Sequence, residues 1–308
     1  MEKSTPKISI ALATYNGAQY LPALLDSLCN QNIHPDEIIA VDDCSTDSTI
    51  DILRTYSSKL PIKIFQNSFN LGVNKNFEKA VKNCSGEYIL ICDQDDVWFP
   101  NNIEEKINLL KKMPPNEPNL VTSGSILSDK NLVPIRDLKI RKDISDWKIL
   151  ITKCFQGTTM AFNRILRNNL TQWPSSFRDV PYDYYIYCNA LLTGNIYASS
   201  LSLMYYRSHD KNVSFKSGKL KNTIKSIFPT HLFFTDTLTV HALEEFSYAL
   251  KSIPIQSMHE ERYQSSIQLL ECKSQNHILW TKFFKLNFVP FALKIKTFIG
   301  SMLLSLKG

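Results

Sequence analysis

The chain has 308 residues, 44% hydrophobic and 21% charged, a balance that builds a full core and excludes the disordered and fibrous classes. Its net charge of +6 is carried by the tail, where no acid follows Glu271 but Lys273, Lys282, Lys285, Lys294, Lys296 and Lys307 do. A neutral body with a basic tail excludes a general nucleic-acid binder.

In chain order, residues 8–13 form a short apolar run that stops at Asn16-Gly17, the pattern of a buried parallel strand. Tyr20, Leu21, Leu24, Leu25 and Leu28 then recur at helical spacing. A second strand over 37–41 stops at Asp42-Asp43, and Asp47 reads as turn and cap for a helix carrying Ile50, Ile52 and Leu53. Residues 62–65 read as a third strand, 73–81 as a helix, and 87–92 as a fourth strand closing at Asp93. Pro114, Pro115 and Pro118 break the chain after a helix over 102–112. Further strands are predicted at 120–127, 158–162 and 196–206, with an aromatic-rich helix at 182–192. Strand signals vanish after about 215.

This alternation predicts an α/β domain over 1–215, with a mainly parallel central sheet and helices on both faces. A nucleotide-binding half would run to 112 and an acceptor half from 113 to 215, followed by a helical basic extension over 216–308. In such sheets the ligand lies outside the carboxyl ends of the strands. Three polar strand ends, Thr14-Tyr15-Asn16, Asp42-Asp43 and Asp93-Gln94-Asp95-Asp96, are therefore expected to meet in one crevice.

The acidic cluster after the fourth strand is the sharpest chemical feature. Oxygen ligands on a strand-end loop suit Mg²⁺ or Mn²⁺, which keep positions open for substrate phosphates. Asp43 at a strand end can accept hydrogen bonds from a base or a ribose. Tyr15 can stack on the base, while the neighbouring backbone from Ala13 to Asn16 pairs with its edge.

The segments ALATYNG, VDDCSTDST, NLGVNKNFEKA and GEYILICDQDDVWFP, in this order, resemble the family 2 glycosyltransferases, especially the bacterial rhamnosyltransferase-like members that build cell-surface polysaccharides. The likeness is strong over 7–112, moderate over 156–214 and absent beyond. It implies the GT-A fold, an inverting transfer from a nucleotide sugar (dTDP-rhamnose or a UDP-hexose) to a glycan acceptor, and a divalent cation. By the same resemblance Asp43 would lie near the base and Asp93 near the ribose or the metal, and Asp95 would bind the metal. Gly157 would lie under the acceptor, and Asp183 would be the catalytic base, between Tyr182 and Tyr184, whose rings can stack on sugars. Arg207 would support phosphate charge, and His209 would complete the metal or diphosphate site. The chain departs from the family in carrying Tyr182 where a His is common, and no arginine after Asn70-Leu71-Gly72.

Competing chemistries fit less well. Asp93-x-Asp95 formally matches the nucleophile motif of haloacid-dehalogenase-type phosphohydrolases, but three strand–helix units precede it. No G-x-G-x-x-G follows a strand, which excludes a dinucleotide oxidoreductase. Seven cysteines without C-x-x-C pairing fit a reducing cytosol. The lysine- and aromatic-rich stretch 280–308, interrupted by Pro290, suggests peripheral contact with an anionic membrane surface, which suits a lipid-linked acceptor on the cytoplasmic face.

Overall fold

In the computed structural model, residues 7–140, 156–175, 180–210, 253, 258–262 and 264 are described. The first half alternates β1 (Ile8–Thr14), α1 (Leu21–Cys29), β2 (Glu37–Asp42), α2 (Thr49–Tyr56), β3 (Ile62–Gln66), α3 (Val73–Asn83) and β4 (Tyr88–Asp93). The second half holds β5 (Val97–Trp98), α4 (Asn102–Leu110), β6 (Asn119–Ser128), β7 (Pro134–Leu138), β8 (Ala161–Asn163), α5 (Arg164–Asn169), α6 (Tyr182–Thr193) and β9 (Asn195–Arg207).

The strands make one sheet in the order β3-β2-β1-β4-β8-β6-β9-β5, with β7 paired to β6. From β3 to β4 all pairs are parallel, as are β6 and β9. Short β8 runs antiparallel to both β4 and β6 and joins the two parts. This is the mainly parallel α/β sheet expected from the sequence.

Helices cover both faces because the strands alternate. Ala11, Ile39, Val41, Ile89 and Ile91 pack with Phe77 and Ala80 of α3 and with α6. Their neighbours Ile10, Leu12, Ile38, Ala40 and Leu90 face Leu21, Leu24 and Leu28 of α1, Leu53 of α2, and Ile103 and Ile107 of α4. With a side-chain period of two, one continuous apolar strand supplies two cores.

At the amino ends of the strands, Glu37 ties three segments together. Its carboxylate accepts from Ser9 Oγ at 2.7 Å, Lys63 Nζ at 2.6 Å and Ser85 N at 2.6 Å. Burial opposes its charge, but these donors outweigh that and hold the carboxyl down at about 2.

The expected strand over 158–162 is shorter than the sequence suggests. Gly157–Thr159 closes a 3₁₀ turn, with Thr159 N and Oγ1 both donating to Gln156 O, and only Ala161–Asn163 pairs in the sheet. The hydroxyl competes for the carbonyl that a strand would use. Strands β5 and β7 and helix α5 are additions to the predicted elements.

Within the extension, Ile253 is buried in the α3–α6 core, and His259 N donates to Leu192 O at 2.9 Å. Arg262 Nη1 donates to Leu191 O at 2.6 Å and to Gly194 O. A cation on the last carbonyls of α6 is favoured by the helix dipole. The remainder of 216–308, including the proposed membrane-contact stretch 280–308, lies outside the described residues. Among the described residues no helix is long and apolar enough to cross a membrane.

Candidate active site

Parallel register sets the strand ends side by side, with Thr14 opposite Asp42 and Ala13 opposite Asp93. The loops that follow are pinned to one another. Thr14 Oγ1 donates to Asp42 Oδ1 at 2.9 Å, and Asn16 N to Ser45 Oγ at 2.8 Å. Asn16 has φ 48, a left-handed conformation its short polar side chain tolerates, and its Oδ1 accepts from Thr46 N at 2.8 Å. Asp47 accepts from Ala18 N at 3.1 Å and Thr49 N at 3.0 Å, so it makes a turn and a cross-loop tie, while the N-cap position of α2 is taken by Ser48 and not by Asp47.

Asp43 is buried behind these loops. Its Oδ1 accepts from Asn67 Nδ2 at 2.8 Å and Leu71 N at 2.7 Å, and its Oδ2 from Gly72 N at 2.8 Å. The carboxylate thus organises the loop entering α3, at the strand end where a base would be read. Asn76 completes that corner by donating to Val41 O at 2.9 Å.

Gln94 joins the first and fourth strand ends. Its Oε1 accepts from Tyr15 N at 2.9 Å, and its Nε2 donates to Tyr15 O at 3.0 Å. A side chain at Gly17 would collide with this amide. Tyr15 itself keeps its ring exposed (46%), facing out from a fixed backbone. The middle residue of Asp-Gln-Asp is therefore structural, a role the motif alone does not signal.

The acids converge. Burial pushes the Asp93 carboxyl well above its usual range, and the negative charges of Asp95 and Asp183 push it further. Burial raises Asp96 likewise, aided by Asp95 and Asp93 and opposed by hydrogen bonds from Thr158 and the Arg207 amide. Asp95 Oδ2 lies 2.8 Å from His209 Nε2. Asp183, in the first turn of α6, accepts from Tyr184 N at 2.9 Å.

Arg207 braces this loop from β9. Its Nε donates to Asp95 O at 2.8 Å and its Nη1 to Lys130 O at 2.7 Å. Tyr20 contacts both groups, with Arg207 4.8 Å from its ring and the His209 ring stacked on it at 4.5 Å. Tyr20 read in the sequence as the first apolar position of a helix, but it precedes α1 as its N-cap residue and its ring carries two site residues.

Behind the loop, fully buried Lys106 sits 5.2 Å from the Trp98 ring centroid, its ammonium without a hydrogen-bond partner among the described residues. Burial brings it down to about 7 against the pull of Cys92 and Asp96.

The rings flanking Asp183 point inward. Tyr182 is 4% exposed, stacks on Phe77 at 4.0 Å and covers Gly157, where any Cβ would strike the phenol. Tyr184 is 2% exposed. Every residue of α6 except Asp183 is buried, so its aromatics serve the core. In this structure, then, Gly157 makes room for Tyr182, and the sugar-stacking faces expected of Tyr182 and Tyr184 are inside.

A carboxylate paired with an imidazole is a donor set that suits Mn²⁺. Among the described residues no group of three or more His, Cys, Asp or Glu forms a closed cage. Such ions are commonly held by one or two protein ligands together with substrate phosphates, so Asp95 and His209 fit an ion completed by a diphosphate.

Residues 9–166 match the family described as Glycosyl transferase family 2. The chain belongs to that family. Across the curated proteins it is 29% identical over 212 residues to an uncharacterized glycosyltransferase of Rickettsia typhi, covering 67% of this chain. It spans 65% of that relative's length. Among solved structures, Staphylococcus aureus TarS 1–349 in complex with UDP-GlcNAc has TM-score 0.60 at 19% identity, covering 96% of this chain and 79% of that one. The mannosyltransferase PcManGT of Pyrobaculum calidifontis in complex with GDP-Man and Mn²⁺ has TM-score 0.54 at 16% identity, covering 97% and 88%. These likenesses show that this member of the family has the GT-A fold.

Proposed function

We propose that the chain is an inverting, metal-dependent hexosyltransferase that passes a sugar from a nucleoside diphosphate to a glycan acceptor in cell-surface polysaccharide synthesis. The observation that carries the reading is the meeting of Asp93, the Asp95–His209 pair and Asp183 beyond the carboxyl ends of the strands. The nucleoside is proposed to lie on Tyr15 and the backbone of Ala13, Thr14 and Asn16, near Asp43, with Asp93 toward the ribose. Asp183 takes the proton of the acceptor hydroxyl as that oxygen attacks the anomeric carbon from the face opposite the leaving diphosphate. One direct displacement inverts the carbon. Mn²⁺ or Mg²⁺, held by Asp95 and His209, supplies positive charge for the leaving diphosphate when bound. Arg207 keeps that loop in place and adds charge at its edge.

The TarS complex with UDP-GlcNAc supports a uridine donor as the first to try, with dTDP-rhamnose next. A lipid-linked acceptor at the cytoplasmic membrane surface, reached through 280–308, completes the proposal. The test is thermal stability of the purified protein with UDP, dTDP, GDP or CMP, each with and without Mn²⁺. A nucleotide at 100 times its Kd adds about 2.7 kcal/mol. Stabilisation by one nucleotide that needs Mn²⁺ and disappears in Asp95→Ala supports the site and names the base. A folded protein that responds to none of them refutes it.

A further inference from the structure

The helix that carries Asp183 begins without a cap of its own. Its N-cap is Pro181, which has no side chain able to accept the N–H groups of the first turn. The acceptor comes from another element. Asn74, in the first turn of α3 and 1% exposed, offers Oδ1 to Tyr182 N at 2.9 Å. Its Nδ2 donates to Val180 O at 2.8 Å and Pro174 O at 3.3 Å. One buried amide thus holds the residue that opens α6 and the chain that leads into it. The Tyr182 ring is clamped on the same element, stacked on Phe77 one helical turn along α3. The amide and the ring contact fix the helix start in position and rotation, and Asp183 is the next residue.

The other end of this mount reaches the donor side. α3 starts directly after Gly72, whose N–H is held by Asp43 Oδ2 at 2.8 Å, with Leu71 N on Oδ1 at 2.7 Å. A single residue, Val73, separates the amide gripped by Asp43 from the side chain that grips α6.

We propose that Asn74 is the positioning residue for Asp183, setting the base from α3 and giving it a common mount with the donor-side loop held by Asp43. The proposal rests on the reading of Asp183 as the base. An error of about 1 Å in placing a reacting group costs on the order of 10²-fold, so loss of the amide is expected to lower kcat by about 10- to 100-fold. The donor KM and the Mn²⁺-dependent nucleotide Kd should stay as they are, because Asn74 makes none of its bonds to the strand-end loops.

The experiment is a double-mutant cycle of Asn74→Ala and Asp183→Asn. It follows release of the nucleoside diphosphate from UDP-GlcNAc, dTDP-rhamnose and GDP-mannose with Mn²⁺, using whichever the unaltered protein turns over fastest. Asn74→Ser takes the place of Asn74→Ala if the latter does not fold. A residue that acts through the base loses its effect once the base is gone, so the double variant should match Asp183→Asn alone. If the two losses multiply, or the loss at position 74 falls on KM, Asn74 does not position the base. Near-normal kcat in Asp183→Asn would instead remove the base assignment, and this proposal with it.

Discussion

At the scale of single residues, the site depends on which polar groups are spent on structure and which face the crevice. Asp183→Asn should lower kcat by about 10²–10⁴-fold, the usual contribution of a general base, with nucleotide binding retained. Gly157→Ala should cost stability, because the Tyr182 ring occupies the space of a Cβ; a fall of several degrees in Tm with unchanged donor KM would check it. The buried Lys106 gives a pH test. Its folded value of about 7 lies below its ordinary 10.5, so between those values the unfolded chain binds the extra proton and stability rises with pH. Lys106→Met should remove that rise and raise Tm near pH 7, as measured by thermal melts across pH 7 to 10. The acids could be read from the sequence because a strand followed by carboxylates is a visible break in an apolar run. Gln94 and Asn74 could not, since an amide gives no sign of its partner 79 or 108 residues away.

At the scale of elements, β1, β2 and β4 were legible because their faces are buried on both sides and leave continuous apolar runs, while the half-buried edge strand β3 showed only as a short run at 62–65. Strands β5 and β7 were not. β5 has 2 residues, too few for any period, and β7 is exposed along most of its length, so its side chains carry no burial signal. Helix α6 was placed correctly, yet its tyrosines were read as ligand contacts because a helix buried all round shows no polar face to mark what points where. Glu37 belongs to this scale, since one carboxylate ties β2 to its neighbours. Its folded value of about 2 is depressed from 4.5, so its stabilisation is complete above pH 4.5 and lost as pH falls toward 2. Glu37→Gln should cost about 1–3 kcal/mol at neutral pH and flatten the acid limb of a stability–pH curve.

At the scale of the molecule, the site is shared between two unlike parts of one sheet. The parallel part, β3 to β4, presents Thr14, Asp43 and Asp93; the mixed part brings Asp183 from α6 and Arg207 and His209 from the end of β9. Ligand binding that bridges the parts should couple them. Mn²⁺ with the preferred nucleotide is expected to slow amide exchange at 207–209 as well as at 14–17, and protection confined to 14–17 would show that the ion and His209 do not meet. The family resemblance covered the first part strongly and the second only moderately, which matches their regularity: repeated strand–helix units impose patterns, and a return strand such as β9 imposes few.

The order of the parts along the chain has a consequence for biosynthesis. Asp93 is translated 90 residues before Asp183 and 116 before His209. At about 5–20 residues per second, the parallel part is synthesised on the order of ten seconds before Asp183 and His209. A nascent chain at that stage lacks α6, which covers one face of the parallel strands, together with Asp183 and His209. On the proposed reading, unfinished copies cannot turn over a donor, and transfer begins only once α6 and the end of β9 have joined the sheet.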